Sequence, residues 1–193
     1  GKTVAFSELA AAAYQEEKLP PGVTPGLDFS GSFTLGQPYQ SPHSFSTHVV
    51  AVQVSRENGV IEILDYTAIH DCGRILNPML VEGQVHGGIA QGIGQALWEG
   101  MEYTEDGQPL TASLMDYAMP SAQGLPELRL DTYETLSPMN PLGIKGVGEL
   151  PTVAAPAAVA NAVMDALSGF GVQHIDTPLT PEKVWNVMQG RIG

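Results

Sequence analysis

The sequence predicts an α+β fold in which helices pack on a sheet. Strands and helices are interleaved along the chain without the regular βαβ repeat of a doubly wound sheet. Two β-branched runs flank an Asn-Gly pair, and several segments of helical composition begin at residues that cap helices. Hydrophobic residues make up 43% of the 193 residues, which suffices for a core. We therefore expect one domain over residues 1–193.

The first elements are a helix and a long irregular segment. Ser7 is a candidate cap for a helix over residues 7–18, which are rich in alanine, glutamate and other good helix formers. Residues 19–47 are rich in proline and glycine, so they should be mostly irregular, with one strand near residues 29–35. A segment of this length usually lies against a partner surface or lines a site.

A β-hairpin follows. Residues 48–55 alternate between apolar and polar side chains, and residues 60–71 form a second β-branched run. The pair Asn58-Gly59 lies between them, and Asn-Gly between such runs is a strong hairpin signal.

Capping residues, turn pairs and alternation predict the remaining elements. These are a helix over 79–100 after Asn77-Pro78, a turn at Asp106-Gly107 between short strands, a strand over 128–135, a helix from Thr152 to Leu167 closing near Gly169, and a last helix from Thr180 to near Gly190.

Charge and cysteine content exclude several classes of function. Eight basic residues stand against 21 acidic ones, giving a formal net charge of −13. Such a surface repels phosphate backbones and anionic membranes, so a general nucleic-acid binder and docking on anionic membranes are disfavoured. No apolar run reaches transmembrane length, so no membrane insertion is expected. The single cysteine, Cys72, excludes an internal disulfide and a multi-thiolate metal site. With no apolar run of transmembrane length and no signal peptide at its start, the chain is expected to be cytoplasmic.

Glycines and amides are concentrated in the predicted helix over 79–100. The glycines are Gly83, Gly87, Gly88, Gly92 and Gly94, and the amides on one face are Gln84, Gln91 and Gln95. Each interior glycine costs roughly 1 kcal/mol relative to alanine, so another group must approach this backbone closely. Tight packing against another element is one explanation. A bound ligand is the other, because amides can hydrogen-bond to a polar heterocycle or a phosphate.

A second glycine-rich segment, residues 143–149, precedes the helix predicted from Thr152. Its three glycines allow a close backbone approach or a positive φ. Glu149 then lies next to a helix N-terminus, where exposed N–H groups favour an anion. A catalytic carboxylate, a surface or capping residue, and an ion pair between Lys145 and Glu149 all fit this position.

The third candidate segment is His70-Asp71-Cys72-Gly73 at the end of a predicted strand. These residue types suggest a metal site, but three consecutive side chains at a strand end cannot all face one ion. A turn beside a ligand is the preferred interpretation.

Together these segments resemble the molybdenum hydroxylase family of xanthine dehydrogenase, aldehyde oxidase and aerobic carbon monoxide dehydrogenase. The resemblance is to the C-terminal part of the large, molybdopterin-binding subunit and is firm over residues 48–190. It rests on the turn of residues 70–78, the Q-G-x-x-Q-A pattern from Gln91 to Ala96 and the G-x-G-E pattern from Gly146 to Glu149. The resemblance implies a mixed sheet with helices packed on it.

The resemblance also implies roles for individual residues. Glu149 matches the general base that takes a proton from a hydroxyl on molybdenum, whose pKa the metal lowers. It is not a tight metal ligand, so no residue of this chain is expected to bind the metal directly. The implied cofactor contacts are Gln91, Gly92, Gln95, Gly146, Val147 and Gly148, with Asp71 and Gly73 as supporting contacts. The implied cofactor is molybdopterin, in the cytosine dinucleotide form that bacterial members mostly use.

Partners follow from the same resemblance. Large subunits of the family are several times longer than this chain, so the remaining N-terminal part of the subunit should complete the cofactor cleft and the substrate pocket. Iron–sulfur clusters and FAD are expected on an iron–sulfur subunit and an FAD subunit. Alone, the chain should hold little or no cofactor and be inactive. The implied substrate is an aldehyde, an N-heterocycle or carbon monoxide.

Two other functions stay open. The chain could be a non-catalytic interaction domain that keeps the fold and docks on a partner without molybdenum. It could also be a stand-alone nucleotide-binding protein that uses its glycine-rich segments.

Overall fold

A computed structural model describes residues 3–28, 30–34 and 42–191, and it divides the chain into two compact units, residues 1–36 and 37–193. The single domain expected over residues 1–193 stays a prediction, and each unit is described by itself. In the first unit, helix α1 spans Phe6–Ala12 and a 3₁₀ turn spans Glu16–Lys18.

The start of α1 and the irregular segment differ in part from expectation. Ala5 occupies the capping position of α1 without a side-chain hydrogen bond, so the prediction that Ser7 caps it is wrong. The helix ends six residues before the predicted Lys18, since the chain turns after Ala12. Of the strand predicted near 29–35, residues 29 and 35 lie outside the described residues, and 30–34 are irregular.

The second unit contains a three-stranded mixed sheet. Strand β1 spans Phe45–Val54 and pairs antiparallel with β2, Ile61–Asp71. Strand β3, Leu128–Thr132, lies parallel to β2 on its other side, so the order is β1-β2-β3. The α+β class and the mixed sheet are confirmed, although β1 starts three residues earlier than predicted and β3 ends three residues earlier.

The hairpin turn also positions the last helix. Gly59 has a φ of 72°, which the Asn-Gly pair makes accessible. A Cβ atom there would collide with the backbone carbonyl of Pro181, at the start of helix α4, Pro181–Met188. The Thr180 hydroxyl accepts a hydrogen bond from the Lys183 N–H, as its predicted capping role requires.

Two long helices carry the candidate site. Helix α2 spans Pro78–Leu97, and the Asn77 side chain caps it by accepting from the Leu80 N–H at 3.2 Å, as predicted. Helix α3 spans Leu150–Ala166, beginning two residues before the predicted Thr152. The turn predicted at residues 106–107 is present, but an isolated bridge between Tyr103 and Pro109 replaces the short strands expected around it.

The core lies between one face of the sheet and helices α2 and α3. It is built from β2 and from both helices, with contributions from the C-terminal segment. Its fully buried members include Tyr66, Ala68, Ile89, Ile93, Ala155, Val159, Val163, Leu167 and Val184. Within the ranges described, no helix combines the length and apolarity that a membrane crossing needs.

Candidate functional site

The end of β2 and the segment of residues 143–149 are joined, although about 70 residues separate them in sequence. Gly73 forms an isolated antiparallel bridge with Ile144, and the Lys145 N–H donates to the Cys72 carbonyl at 2.9 Å. Gly73 has a φ of 66°, and a Cβ atom on it would collide with the Gly143 carbonyl. Gly73 is therefore required for this junction, and the two predicted motifs form one structural unit.

A buried carboxylate holds this unit together. Asp71 accepts hydrogen bonds from the Gly73 N–H at 2.9 Å, from the Thr135 N–H at 3.2 Å and from the Thr135 hydroxyl. Its Oδ2 also lies 2.8 Å from the Lys145 ammonium, and the Lys145 side chain is only 6% exposed. Asp71 was predicted as a supporting cofactor contact. Its oxygens already serve these partners, so the structure supports a role in ordering the loops.

The pKa of Asp71 lies well below its ordinary value. Burial alone would raise this pKa, but hydrogen bonds from Lys145, Thr135 and Gly73 outweigh burial and lower it. The stabilisation that follows is fully present above the ordinary aspartate pKa, near 4, and is lost as the pH falls below it.

Removing the cation should destabilise this unit strongly. Lys145→Met leaves Asp71 buried without its counter-ion, which costs about 3–5 kcal/mol in comparable sites. Thermal unfolding of the subunit measures the effect. Lys183→Met is the matched control, because the Lys183 ammonium is exposed and makes only a 3.5 Å contact with a carbonyl. Equal melting temperatures for the two variants would contradict the role of the pair.

The glycines of α2 have two different roles. Gly88 and Gly92 face α3, and Cβ atoms on them would lie 2.9 Å from the Pro151 Cβ and 2.5 Å from the Ala155 Cβ, respectively. Among the described residues, in contrast, nothing lies within 4 Å of the position a Cβ would take on Gly83 or Gly87. Gly92 was predicted as a cofactor contact. The structure buries it in the helix crossing, where it permits the close approach of α3, and its cofactor contact stays a prediction.

The amide face of α2 is exposed and borders the loop that leads into α3. Gln84, Gln91 and Gln95 are all exposed. The Gln84 Oε1 lies 3.5 Å from where a Cβ on Gly148 would be, and the Thr152 hydroxyl donates to the Gln91 Oε1 at 3.3 Å. The structure therefore brings Gln84 beside the G-x-G-E loop and Gln91 beside the first turn of α3, whereas Gln95 lies one turn further along α2.

Within the G-x-G-E loop the predicted contacts differ in exposure. Gly146 is exposed with open space beside it, whereas Val147 is half-buried and packs against the core. Glu149 is exposed at the capping position of α3 and makes no side-chain capping bond, while its carbonyl accepts from the Val153 N–H. Lys145 pairs with Asp71, so the suggested ion pair between Lys145 and Glu149 does not form. The Glu149 carboxylate is thus available to a bound group.

The metal interpretation of residues 70–73 finds no support in the structure. Cys72 is buried, and burial raises the pKa of its thiol. Among residues 3–28, 30–34 and 42–191, no group of three His, Cys, Asp or Glu side chains could hold a metal ion.

Sequence reasoning missed a hydrogen-bonded chain in the sheet. Nδ1 of His48 lies 2.8 Å from the Tyr66 hydroxyl, and Nε2 of His48 lies 3.0 Å from Nε2 of His70. The hairpin register places His48 opposite Ala68, between the two partners, so a register assignment from the sequence could have found this chain. Burial, together with the neighbouring His70, lowers the pKa of His48 to about 4, and burial also lowers the pKa of His70.

The lowered pKa of His48 predicts a pH-dependent stability. Between pH about 4 and 6.5 the unfolded state binds more protons than the folded state, so the free energy of unfolding should rise with pH by about 2 kcal/mol. Urea unfolding of the subunit across this range measures the rise. His48→Gln removes the titrating group and should reduce the slope, and equal slopes for variant and parent would contradict the assignment.

Comparison with known proteins agrees with the geometry. The sequence profile of the molybdopterin cofactor-binding domain family matches residues 1–126. The chain is 38% identical to the nicotine 6-hydroxylase large subunit of Paenarthrobacter nicotinovorans over 190 residues, which are 98% of this chain and 23% of that protein. It is 35% identical to the carbon monoxide dehydrogenase large chain of Hydrogenophaga pseudoflava, covering 95% of this chain and 23% of the relative.

Solved structures give the same result. Quinoline 2-oxidoreductase from Pseudomonas putida 86 superposes with a TM-score of 0.85 at 38% identity, covering 96% of this chain and 23% of that one. The Cu,Mo carbon monoxide dehydrogenase superposes with a TM-score of 0.80 at 34% identity, covering 95% and 22%. The chain thus spans less than a quarter of the length of these relatives. It belongs to the molybdopterin cofactor-binding domain family, as its resemblance to the molybdenum hydroxylases had indicated.

Proposed function

We propose that this chain forms one wall of the molybdenum-cofactor site of an oxidoreductase. The substrate would be an aldehyde or an N-heterocycle that is hydroxylated with oxygen from water, or carbon monoxide that is oxidised. The observation that carries this proposal is the shared surface of the exposed amide face of α2 and the G-x-G-E loop. Family membership and relatives that include nicotine 6-hydroxylase and carbon monoxide dehydrogenase large subunits support it.

The residues at this surface fit a pterin cofactor. Gly83, Gly87 and Gly146 leave open space where side chains would otherwise stand. The Thr152 hydroxyl lies 3.3 Å from both the Gly88 carbonyl and the Gln91 side-chain amide, so the other end of that amide stays open to a ligand. Amide donors and acceptors beside bare backbone match the polar edge of a fused heterocycle. We assign Gln91, Gln95, Gly146 and Gly148 to such contacts, while Gly73 and Asp71 hold the loop in place.

Glu149 is assigned the proton-transfer step. When bound, the cofactor supplies a metal that lowers the pKa of a water-derived oxygen and accepts the electrons of the substrate. The Glu149 carboxylate takes the proton of the attacking hydroxyl group, and its exposed position at the loop end leaves it free to do so. The buried Asp71–Lys145 pair fixes the loop at Lys145, four residues before this carboxylate.

Further parts of the proposal concern partners. The remainder of the large subunit would complete the cleft, an iron–sulfur subunit and an FAD subunit would carry the electrons away, and the cofactor would be the cytosine dinucleotide form. The carbon monoxide dehydrogenase and 6-hydroxypseudooxynicotine dehydrogenase relatives are named as a large chain and as a complex subunit. A cytoplasmic location, expected from the sequence, completes the proposal.

Cofactor retention tests the amide surface. Gln91→Leu should weaken cofactor binding about threefold to tenfold, because one hydrogen bond to a bound group contributes about 1 kcal/mol. Molybdenum per subunit, measured after dialysis of the assembled complex, reports the loss. Gln189→Leu, an exposed glutamine after α4, is the control and should retain the parent content. Equal molybdenum in both variants would count against the proposed contact.

A further inference from the structure

A recess separate from the amide face of α2 lies between the N-terminal half of α2 and β3. Its volume is about 290 Å³. Its walls are mostly apolar, and two acidic residues and one histidine also line it. The apolar residues are Ile75, Pro78, Val81, Val85 and Leu130, and the acidic residues are Glu82 and Asp131. The histidine is His70, which is 1% exposed. We call this recess the β3 groove.

His70, which lines the β3 groove, carries an unpaired polar atom. Its Nε2 is paired with His48, but its buried Nδ1 has no hydrogen-bond partner among the described residues. A buried polar atom without a partner costs free energy comparable to a lost hydrogen bond, so native proteins satisfy such atoms. The unmet atom therefore needs a hydrogen-bond partner that the described residues do not supply, either a water molecule or a group from another segment.

Donor counting along the histidine chain shows what His70 offers. Both rings are neutral at pH 7, because burial lowers their pKa values, so each carries one N–H. The Tyr66 hydroxyl is fully buried, and within residues 42–191 its hydrogen-bond partner is the His48 Nδ1, so the hydroxyl must donate to it. His48 then donates from Nε2 to the His70 Nε2. The remaining proton of His70 lies on Nδ1, which is a donor that requires an acceptor.

The rim of the groove restricts that acceptor. Glu82 and Asp131 are exposed carboxylates, so they repel a carboxylate or phosphate that would enter between them. A neutral carbonyl oxygen flanked by aliphatic groups satisfies both the donor and the apolar walls. Among the residues described, β3 pairs only with β2, so its outer edge is open to an extended segment.

We propose that the β3 groove receives an extended segment from the remainder of the large subunit, with a backbone carbonyl of that segment accepting from the His70 Nδ1–H. The chain spans under a quarter of the length of its relatives, so a long polypeptide is available to supply the segment. This inference rests on the part of the proposed function that places the chain in a larger subunit. It does not depend on the catalytic assignment of Glu149.

Photo-crosslinking in the complete purified complex tests the proposal. A benzoylphenylalanine replaces Thr132 on the β3 wall in one sample and Glu82 on the α2 wall in another. Both probes should crosslink to one and the same peptide outside residues 1–193, identified by mass spectrometry. A probe at Asp165, exposed on α3, is the control and should not reach that peptide. Crosslinks to two different peptides, crosslinks confined to residues 1–193, or none would overturn the proposal.

A second measurement addresses the hydrogen bond without altering the groove. Solid-state ¹⁵N NMR of the complex labelled at histidine should show the His70 Nδ1 protonated, and an unprotonated Nδ1 would overturn the donor assignment. The two proposals can fail separately. If the crosslinks form and turnover survives Glu149→Gln, the groove proposal stands and the catalytic assignment of Glu149 is rejected. If the crosslinks do not form and Glu149→Gln abolishes turnover, only the groove proposal is rejected.

Discussion

Replacing Glu149 by glutamine is expected to lower the turnover number of the assembled complex by about 10²–10⁴, the range that a positioned general base contributes. Glutamine keeps the size of the side chain and its hydrogen-bonding oxygen but cannot accept the proton of the attacking hydroxyl group. Because Glu149 is exposed and makes no capping bond, its replacement should leave the fold and its stability unchanged. Steady-state turnover, normalised to molybdenum content, is the measurement.

Glu182→Gln is the matched control for this variant. Glu182 is also an exposed carboxylate near a helix N-terminus, in the first turn of α4, but it lies outside the proposed site. Its variant should retain parental turnover. If Glu149→Gln also retains full turnover with a full molybdenum content, the catalytic assignment is wrong. The chain would then be better described as a non-catalytic interaction domain within its complex.

Local signals predicted most of the secondary structure. The Asn58-Gly59 hairpin and the Asn77 and Thr180 caps depend on residues within a few positions of one another, and the structure confirms them. The errors lie at ends that tertiary contacts decide. Thr152, for example, does not cap α3: the helix begins at Leu150, and the Thr152 hydroxyl lies against the Gly88 carbonyl and Gln91 of the neighbouring helix.

The motifs identified the candidate residues, but they did not show how the fold arranges them. The pairing of Asp71 with Lys145 joins residues that are 74 positions apart, and no local pattern encodes that distance. The alternative of a Lys145–Glu149 pair was equally compatible with the sequence. Only the fold, which bridges Gly73 to Ile144, shows that Lys145 is used at Asp71 and that Glu149 is left free.

The glycines of α2 also show that local sequence does not reveal which atoms lie beside a residue in the fold. Their substitution gives the second large expected effect. Gly92→Ala should destabilise the subunit by about 1–3 kcal/mol, because its Cβ would lie 2.5 Å from the Ala155 Cβ and 2.9 Å from the Pro156 Cδ. Gly87→Ala, five residues away on the same helix, should stabilise it by about 0.5–1 kcal/mol. Its Cβ would meet no atom within 4 Å in the part of the chain that the structure describes, and alanine favours helix over glycine.

Cofactor content separates the two explanations that the sequence left open for these glycines. If the exposed side of α2 contacts the cofactor, Gly87→Ala should raise the melting temperature of the cofactor-free subunit and yet lower the molybdenum retained by the complex. Gly92→Ala should lower the melting temperature first, and any loss of molybdenum should follow from unfolding. A stabilised Gly87→Ala subunit with full molybdenum content would show that nothing approaches this backbone. The open glycines would then need an explanation other than a bound ligand.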